Sequence, residues 1–281
     1  MSSVRQSRCQ VYWSPHDERI FARVATELKL YIVDDVEDFD HLTHISPSLQ
    51  LSSHCYAKQI CTVPEEDAYA ALKCVSWQNQ PDYPYSFAIG YNNGRVALKR
   101  FTVDEMGTVS FTPLQAQALN PRGQARSCTD IAWNTFNPDI LAVGLERSKN
   151  ESTFLVLDTT VACDPVLAER HRQISSLPKG IADAPLQMES KVIFDPVCMD
   201  TTCSLAWVPG TLHIATGLNS KTIKIYDLKD DLAKSRPQMM ANHKAVHCLS
   251  FDPKLHYRLV SCAENMVCLW DTRNFSKPVS C

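Results

Sequence analysis

The stretch HIATGLNSKTIKIYDL, from His213 to Leu228, decides the fold. Two runs with apolar residues at alternate positions, HIATG and TIKIYD, flank a short polar turn. This alternation is typical of β-strands, and the turn between the runs indicates a hairpin. Because the stretch also holds a Gly, a Lys and an Asp, a ligand-binding loop is the alternative interpretation. We interpret Gly217 as a scaffold residue that permits close packing of the backbone.

The pattern of this stretch recurs in five units along the chain. Each unit has a run that ends in an aromatic residue, a run that ends in a small residue, and an alternating run that closes near Asp. In the fourth unit these runs are CSLAW, HIATG and TIKIYD, and in the fifth they are HCLSF, YRLVSC and MVCLWD. The aromatic residues of the five units are Trp13, Trp77, Trp133, Trp207 and Phe251. We expect these five residues to form the core between neighbouring units.

Three strands and a less regular outer strand in each unit make one blade of a β-propeller, and the closing WD pair is the signature of WD repeats. The sequence therefore predicts an all-β WD-repeat propeller with about five visible blades in an incomplete ring. The predicted blades cover residues 8–34, 72–101, 128–158, 202–227 and 246–271. The long segments between blades are 36–71, 102–127 and 159–201. Short helices are predicted from Pro64 and over residues 164–177.

An arc cut from a larger ring exposes the edge and the apolar flank of its last blade. From the missing closing blade we predict that the sequence is a fragment or a truncated form of a larger protein. In WD repeats, a His, a Ser or Thr and a Trp indole form a chain of hydrogen bonds across the blade. His243, Ser261 and Trp270 are the candidates for this structural network. A surface His in a loop is the alternative interpretation of His243.

Composition excludes several classes of protein. The net charge of −3 gives no electrostatic reason to expect a nucleic acid or an anionic membrane as a partner. No apolar run approaches the roughly 20 residues of a membrane span, and the first residues lack the apolar core of a secretion signal. We therefore expect a soluble intracellular protein, with its 12 cysteines reduced, because none of them forms a C-x-x-C pair.

Five of the cysteines precede the aromatic residue of their unit by three to five positions. A small apolar side chain fits there in a packed inner strand, so we expect structural thiols. A functional role would require several thiols to converge, and we expect a propeller to hold its blades, and these cysteines, apart around the axis. These cysteines are Cys9, Cys74, Cys128, Cys203 and Cys248.

Motifs for the common enzymatic reactions are not found in the sequence. It has no G-x-S-x-G elbow, no phosphate-binding G-x-x-x-x-G-K-[ST] and no H-E-x-x-H. His243 and His247 are four residues apart and could seat a metal on a helix, but their surroundings predict a loop that enters a strand. We predict a protein that is not an enzyme and that needs no cofactor or metal.

The order and irregular spacing of several runs resemble the N-terminal propeller of the Missing-oocyte (Mio, MIOS) family. These runs are KCVSW followed by NNGRVAL, IAWNTFNPDILAVGLERSKNESTFLVLD, LAWVPGTLHIATGL and DPKLHYRLVSCAENMVCLWDTRNFSKPV. The resemblance implies a non-catalytic scaffold subunit of a GATOR/SEA complex that relays amino-acid availability to the TOR kinase. It also implies other protein subunits as partners, including WD-repeat proteins, and a cytoplasmic location or one at the lysosomal or vacuolar membrane through the complex. The family's further blades, α-helical solenoid and zinc module are not in this sequence.

Two other functions remain open from the sequence. The first is an unrelated WD-repeat adaptor, such as a ubiquitin-ligase substrate receptor or a subunit of a trafficking coat. The second is a propeller hydrolase, whose active site would need acidic or His residues from several blades to converge on the central channel. The spacing of residues does not identify the surface that binds partners.

Overall fold

The structure is a computed structural model, and its description covers most of the repeat units. The described residues are 10–35, 48–50, 55–63, 70–79, 85–103, 109–112, 126–149, 151–159, 191–229, 238–241, 244–274 and 276–281. They form 20 β-strands in five antiparallel sheets, which confirms the all-β prediction. In these ranges no helix is long and apolar enough to cross a membrane. The two predicted helices lie outside the described residues.

Each of the five sheets contains the strands of one repeat unit. Sheet 1 contains β1 (Gln10–Trp13), β2 (Ile20–Val24), β3 (Leu28–Asp35), β4 (Ser48–Gln50) and β5 (Cys55–Thr62). Sheet 2 contains β6 (Leu72–Trp77), β7 (Ser86–Tyr91), β8 (Val96–Val103) and β9 (Val109–Thr112). Sheet 3 contains β10 (Cys128–Trp133), β11 (Ile140–Leu145), β12 (Phe154–Asp158) and β13 (Lys191–Phe194). Sheet 4 contains β14 (Thr202–Trp207), β15 (His213–Leu218), β16 (Thr222–Asp227) and β17 (Gln238–Ala241), and sheet 5 contains β18 (Cys248–Phe251), β19 (Arg258–Ala263) and β20 (Met266–Asp271).

The strands follow one another as antiparallel neighbours in sheets 2 to 5, and only sheet 1 departs from this order, because β5 lies between β3 and β4. The first strand of each sheet, the inner strand, ends in the aromatic residue of its unit. The strands β5, β9 and β13 lie in the long segments between the predicted blades, and each pairs with the third strand of its sheet.

The stretch from His213 to Leu228 forms the predicted hairpin of β15 and β16. Ile214 pairs with Tyr226 and Gly217 pairs with Ile223. The polar turn between these strands carries Lys221 at a φ of 66°. A second hairpin joins β7 to β8 through Asn93 and Gly94, and Gly94 has a φ of 80°. Both stretches are therefore structural turns between strands.

Successive sheets pack face to face, and each sheet has two distinct faces. We define the rear face as the one that carries the aromatic residue of the inner strand, and the front face as the opposite one. The front face of each of sheets 1 to 4 packs against the rear face of the next sheet, in four separate apolar clusters. In the third cluster, Ala142, Phe154 and Val156 of sheet 3 contact Trp207 and Tyr226 of sheet 4. Apolar residues on both faces explain why the central strands are buried along their whole length.

The predicted core aromatics divide into four buried residues and one exposed residue. Trp77, Trp133, Trp207 and Phe251 are at most 9% exposed and lie between sheets. Trp13 is 52% exposed, so the prediction that it belongs to the core is wrong. The physical reason is its position on the rear face of sheet 1, which has no preceding sheet among the described residues to cover it.

Candidate functional site

The inner strands of all five sheets converge on one cavity of about 340 Å³. Each strand contributes the residue that stands three positions before its aromatic residue. These residues are Gln10, Cys74, Asp130, Ser204 and Cys248. The cavity is the central channel of the molecule, and its wall is the candidate functional site.

Bulges in three inner strands change which side chains reach this channel. The register shifts between Leu72 and Cys74, between Cys128 and Asp130, and between Thr202 and Ser204. At each shift one extra residue stands on the inner strand, and such a bulge turns neighbouring side chains toward the same side. Thr129 and Asp130 therefore line the channel together, and so do Cys203 and Ser204.

Asp130 is the acidic residue of the described channel wall, and it joins two sheets. Its Oδ1 accepts a hydrogen bond from the backbone N–H of Ile131 at 2.9 Å, and its Oδ2 accepts one from Leu205 of sheet 4 at 2.8 Å. Burial raises the pKa of this carboxyl group to about 7, although the two backbone N–H groups lower it. The side chain is thus a structural acceptor that holds its proton to a much higher pH than a free Asp side chain does.

We expect the ionisation of Asp130 to lower the free energy of unfolding by about 2 to 3 kcal/mol as the pH rises from about 5 to about 7.5. Its pKa is raised above the ordinary 3.8, so the folded protein holds this proton more tightly than the unfolded chain does. The stabilisation is therefore complete below about pH 4 and is lost as the pH rises through about 7. Burial also raises the pKa of Tyr12, Cys74 and Cys248 nearby, so these groups stay neutral across the range.

Urea unfolding of the wild type and of Asp130→Asn at several pH values measures this contribution. The asparagine variant cannot ionise, so its unfolding free energy should lack this part of the pH dependence. Its overall stability should also be lower, because its amide nitrogen cannot accept the bond that one carboxylate oxygen accepts. The same slope in both proteins would contradict the assignment.

Three thiols line the channel, which corrects the expectation that the sheets hold the inner-strand cysteines apart. Cys74, Cys203 and Cys248 come from sheets 2, 4 and 5. Burial raises the pKa of all three thiols, and a protonated thiol is a weak nucleophile and a poor metal ligand. Among the described residues, no group of three or more His, Cys, Asp or Glu side chains is arranged to hold a metal ion. Cys128 is also buried, while Cys9 lies outside the described residues.

The expectation that all cysteines are reduced is wrong for one pair. A disulfide joins Cys268 of β20 to Cys281. Beside it, the backbone N–H of Leu269 donates to Ser280 O at 2.8 Å, and Val279 N–H donates to Leu269 O at 2.7 Å. Residues 279 and 280 therefore extend the outer edge of sheet 5.

Two members of the predicted blade network are joined by a hydrogen bond. Trp270 Nε1 donates to Ser261 Oγ at 2.8 Å, and both residues are at most 2% exposed. His243 lies outside the described residues, so its part in the network stays a prediction. His247 lies at the channel wall, next to the start of β18.

Sequence reasoning recognised the repeat but did not identify the channel-lining set. These residues could have been identified from their constant position, three residues before the aromatic residue of each unit. At that offset the five units carry Gln, Cys, Asp, Ser and Cys, which are all small or polar. Acidic groups from several sheets, which a propeller hydrolase would need, are not brought together in the described wall.

Solved structures similar to this chain share its fold. Chaetomium thermophilum Sqt1 is 16% identical, with a TM-score of 0.58 over 96% of this chain and 71% of that chain. The Myceliophteria thermophila Cps50 (Swd1) β-propeller domain is 10% identical, with a TM-score of 0.53 over 93% of this chain and 69% of that chain. Together with five sheets packed in sequence around one channel, these likenesses define a WD-repeat β-propeller protein.

The family of this propeller follows from sequence comparison. The family model described as MIOS, WD40 repeat matches residues 48–281, and the chain belongs to this family. The GATOR2 complex protein MIOS-A of Xenopus laevis is 27% identical over 273 residues, which cover 97% of this chain and 30% of that protein. The GATOR2 complex protein Mio of Drosophila melanogaster is 26% identical over 270 residues, which cover 95% of this chain and 25% of that protein. The chain thus spans less than a third of the length of these relatives.

Proposed function

We propose that this protein is a non-catalytic scaffold subunit of a GATOR2-type complex. The observation that carries the proposal is the match of residues 48–281 to the MIOS, WD40 repeat family. Relatives that match 95% or more of this chain are named as GATOR2 complex proteins in a frog, a fish and a fly. The protein would then act in the relay of amino-acid availability to the TOR kinase, in the cytoplasm and at the lysosomal or vacuolar surface through its complex.

The chemistry of the channel supports a role in binding over a role in catalysis. Both carboxylate oxygens of Asp130 accept hydrogen bonds from backbone N–H groups, so the side chain is already engaged in joining β10 to β14. The channel thiols are protonated at neutral pH, because burial raises their pKa. An activated nucleophile would require a thiol with a lowered pKa, and a general base would require a carboxylate oxygen that is free to reach a substrate.

Affinity capture of the tagged 281-residue chain from cells tests the proposal. We expect mass spectrometry to recover other GATOR2 subunits, including WD-repeat proteins, and an unrelated propeller with the same tag serves as the control. The second readout is TOR kinase activity after amino acids are restored to cells that express the chain. Recovery of cullin adaptors or coat subunits without GATOR2 subunits would overturn the proposal in favour of an unrelated WD-repeat adaptor.

A further inference from the structure

Three loops of sheets 3 and 4 meet at one end of the two sheets. The first is the polar insert between β11 and β12, which is described over residues 146–149 and 151–153. The second, residues 195–201, leads from β13 of sheet 3 to β14 of sheet 4, and we call it the connecting loop. The third is the turn between β15 and β16, residues 219–221. All three lie inside the stack of sheets along the chain.

Hydrogen bonds fix the connecting loop to both of its neighbours. On the side of sheet 3, Cys198 N–H donates to Ser152 Oγ at 3.0 Å, and Thr153 N–H donates to Cys198 O at 2.7 Å. On the side of sheet 4, Ser220 N–H donates to Asp200 Oδ2 at 2.7 Å. The Cys198 side chain is buried. The connecting loop therefore has one defined path across the boundary between the two sheets.

This path holds two apolar side chains in water. Val197 is 71% exposed and Met199 is 39% exposed, on either side of the buried Cys198. Val197 has a φ of 52°, a left-handed conformation that a β-branched residue rarely adopts. Asp195 Oδ1 accepts a hydrogen bond from Val197 N–H at 3.1 Å, which helps to hold this conformation. Backbone strain that the surrounding structure maintains is found preferentially at functional sites, and here it presents an apolar side chain to a partner.

The charges around the two apolar side chains are mainly positive. The described residues of the three loops carry three exposed cations, Arg147, Lys149 and Lys221, and one exposed carboxylate, Glu146. None of these cations forms an ion pair with a described carboxylate. The other carboxylates of the loops are half-buried and already hold an arginine or a backbone N–H group; they are Glu151, Asp195 and Asp200. The whole chain has a net charge of −3, so this positive surface is a local feature.

We propose that Arg147, Lys149, Val197 and Met199, which together we call the loop patch, bind an acidic peptide segment of a partner protein. A large apolar side chain of the segment packs on Val197 and Met199, and its carboxylates lie beside the two cations. Burial of the apolar side chains provides affinity, and the complementary charges fix the orientation. The flexible thioether of Met199 adapts to side chains of different shape. The loop patch lacks an aromatic side chain on which a nucleic-acid base could stack, so the charge favours a peptide. This inference does not depend on the proposed function.

Selection of random peptides displayed on phage, with the full 281-residue chain as the target, tests the proposal. We expect the enriched peptides to carry Asp or Glu close to Leu, Ile, Met or Phe. A fluorescent synthetic copy of the most enriched peptide is then the probe for direct binding measurements. Its affinity should fall as the salt concentration rises, because salt screens exposed charges.

Val197→Asn separates binding by the loop patch from a structural role of this residue. Asparagine adopts a positive φ more readily than valine, so the variant should be at least as stable as the wild type in urea. It should nevertheless bind the peptide at least about tenfold more weakly, because the apolar contact is lost. Val197→Gly, which also permits a positive φ, should show the same two effects. A purely structural role would leave binding unchanged or improve it.

Lys149→Glu tests the charged part of the loop patch, and Lys254→Glu is its matched control. Lys254 is also exposed, but it lies in the loop between β18 and β19, at the opposite end of the sheets. Lys149→Glu should weaken peptide binding at least about fivefold and reduce its dependence on salt, whereas Lys254→Glu should bind as the wild type does. Enriched peptides without acidic residues, tighter binding of a single-stranded oligonucleotide than of the peptide, or unchanged binding by Val197→Asn would each overturn the proposal.

Discussion

Trp207→Ala is expected to lower the free energy of unfolding by about 3 to 5 kcal/mol. The side chain is 6% exposed and fills the space between sheets 3 and 4, where it contacts the cluster that contains Phe154 and Tyr226. Its removal leaves a cavity and an unpaired acceptor at Ala132 O, whose bond from Nε1 is 2.9 Å long. Equilibrium unfolding in urea, followed by circular dichroism, measures the change.

Trp13→Ala is the matched control for this prediction, because both residues stand at the same position of their repeat. Trp13 is 52% exposed, and none of the described sheets packs against its face of sheet 1, so its loss should cost about 1 kcal/mol. Equal losses for the two tryptophans would mean that the stacking of sheets does not determine which aromatic is buried.

The fold could be predicted because three features of each repeat unit indicate the same structure. These features are the alternation of apolar residues, the turns between runs and the position of the aromatic residue. Regular strands such as β14, β15 and β16 are buried on both faces, so they require apolar residues that the sequence shows directly. The outer strands are less predictable, because β13 (Lys191–Phe194) is short and has one strongly buried residue, Phe194. Its place beside β12 depends on tertiary contacts, which a local pattern does not encode.

The channel was harder to predict than the sheets for a geometric reason. Strict alternation places residues three and four positions before the aromatic on opposite faces. The bulge between Thr202 and Ser204 breaks this rule, so Cys203 and Ser204 both reach the cavity. The exposure of Trp13 was missed for a different reason, because its burial depends on a neighbouring sheet and not on its own repeat.

Gly217→Ala is expected to lower the free energy of unfolding by about 1 to 3 kcal/mol, although the residue lies in a regular strand. An added Cβ would lie 2.7 Å from Val246 Cγ1 and 2.8 Å from Val246 O, and it would also collide with Ser204 Oγ. Ser204 Oγ donates to Val246 O at 2.9 Å across the boundary between sheets 4 and 5, so the methyl group would displace this bond. The glycine thus holds a place where two sheets approach closely, as the sequence predicted.

Urea unfolding of the Gly217→Ala variant tests whether this glycine permits the close approach of the two sheets. The Ser220→Ala variant, in the same hairpin, is the control. Ser220 is exposed in the turn between β15 and β16, so its substitution should change stability by less than about 0.5 kcal/mol. A ligand loop would behave differently, because Gly217→Ala would then leave stability unchanged and alter binding alone. Since the collision involves both Ser204 and Val246, a double variant that also carries Ser204→Ala should recover part of the lost stability. No recovery would show that the contact with the backbone of Val246 dominates, whereas a neutral Gly217→Ala would refute the close approach of the two sheets.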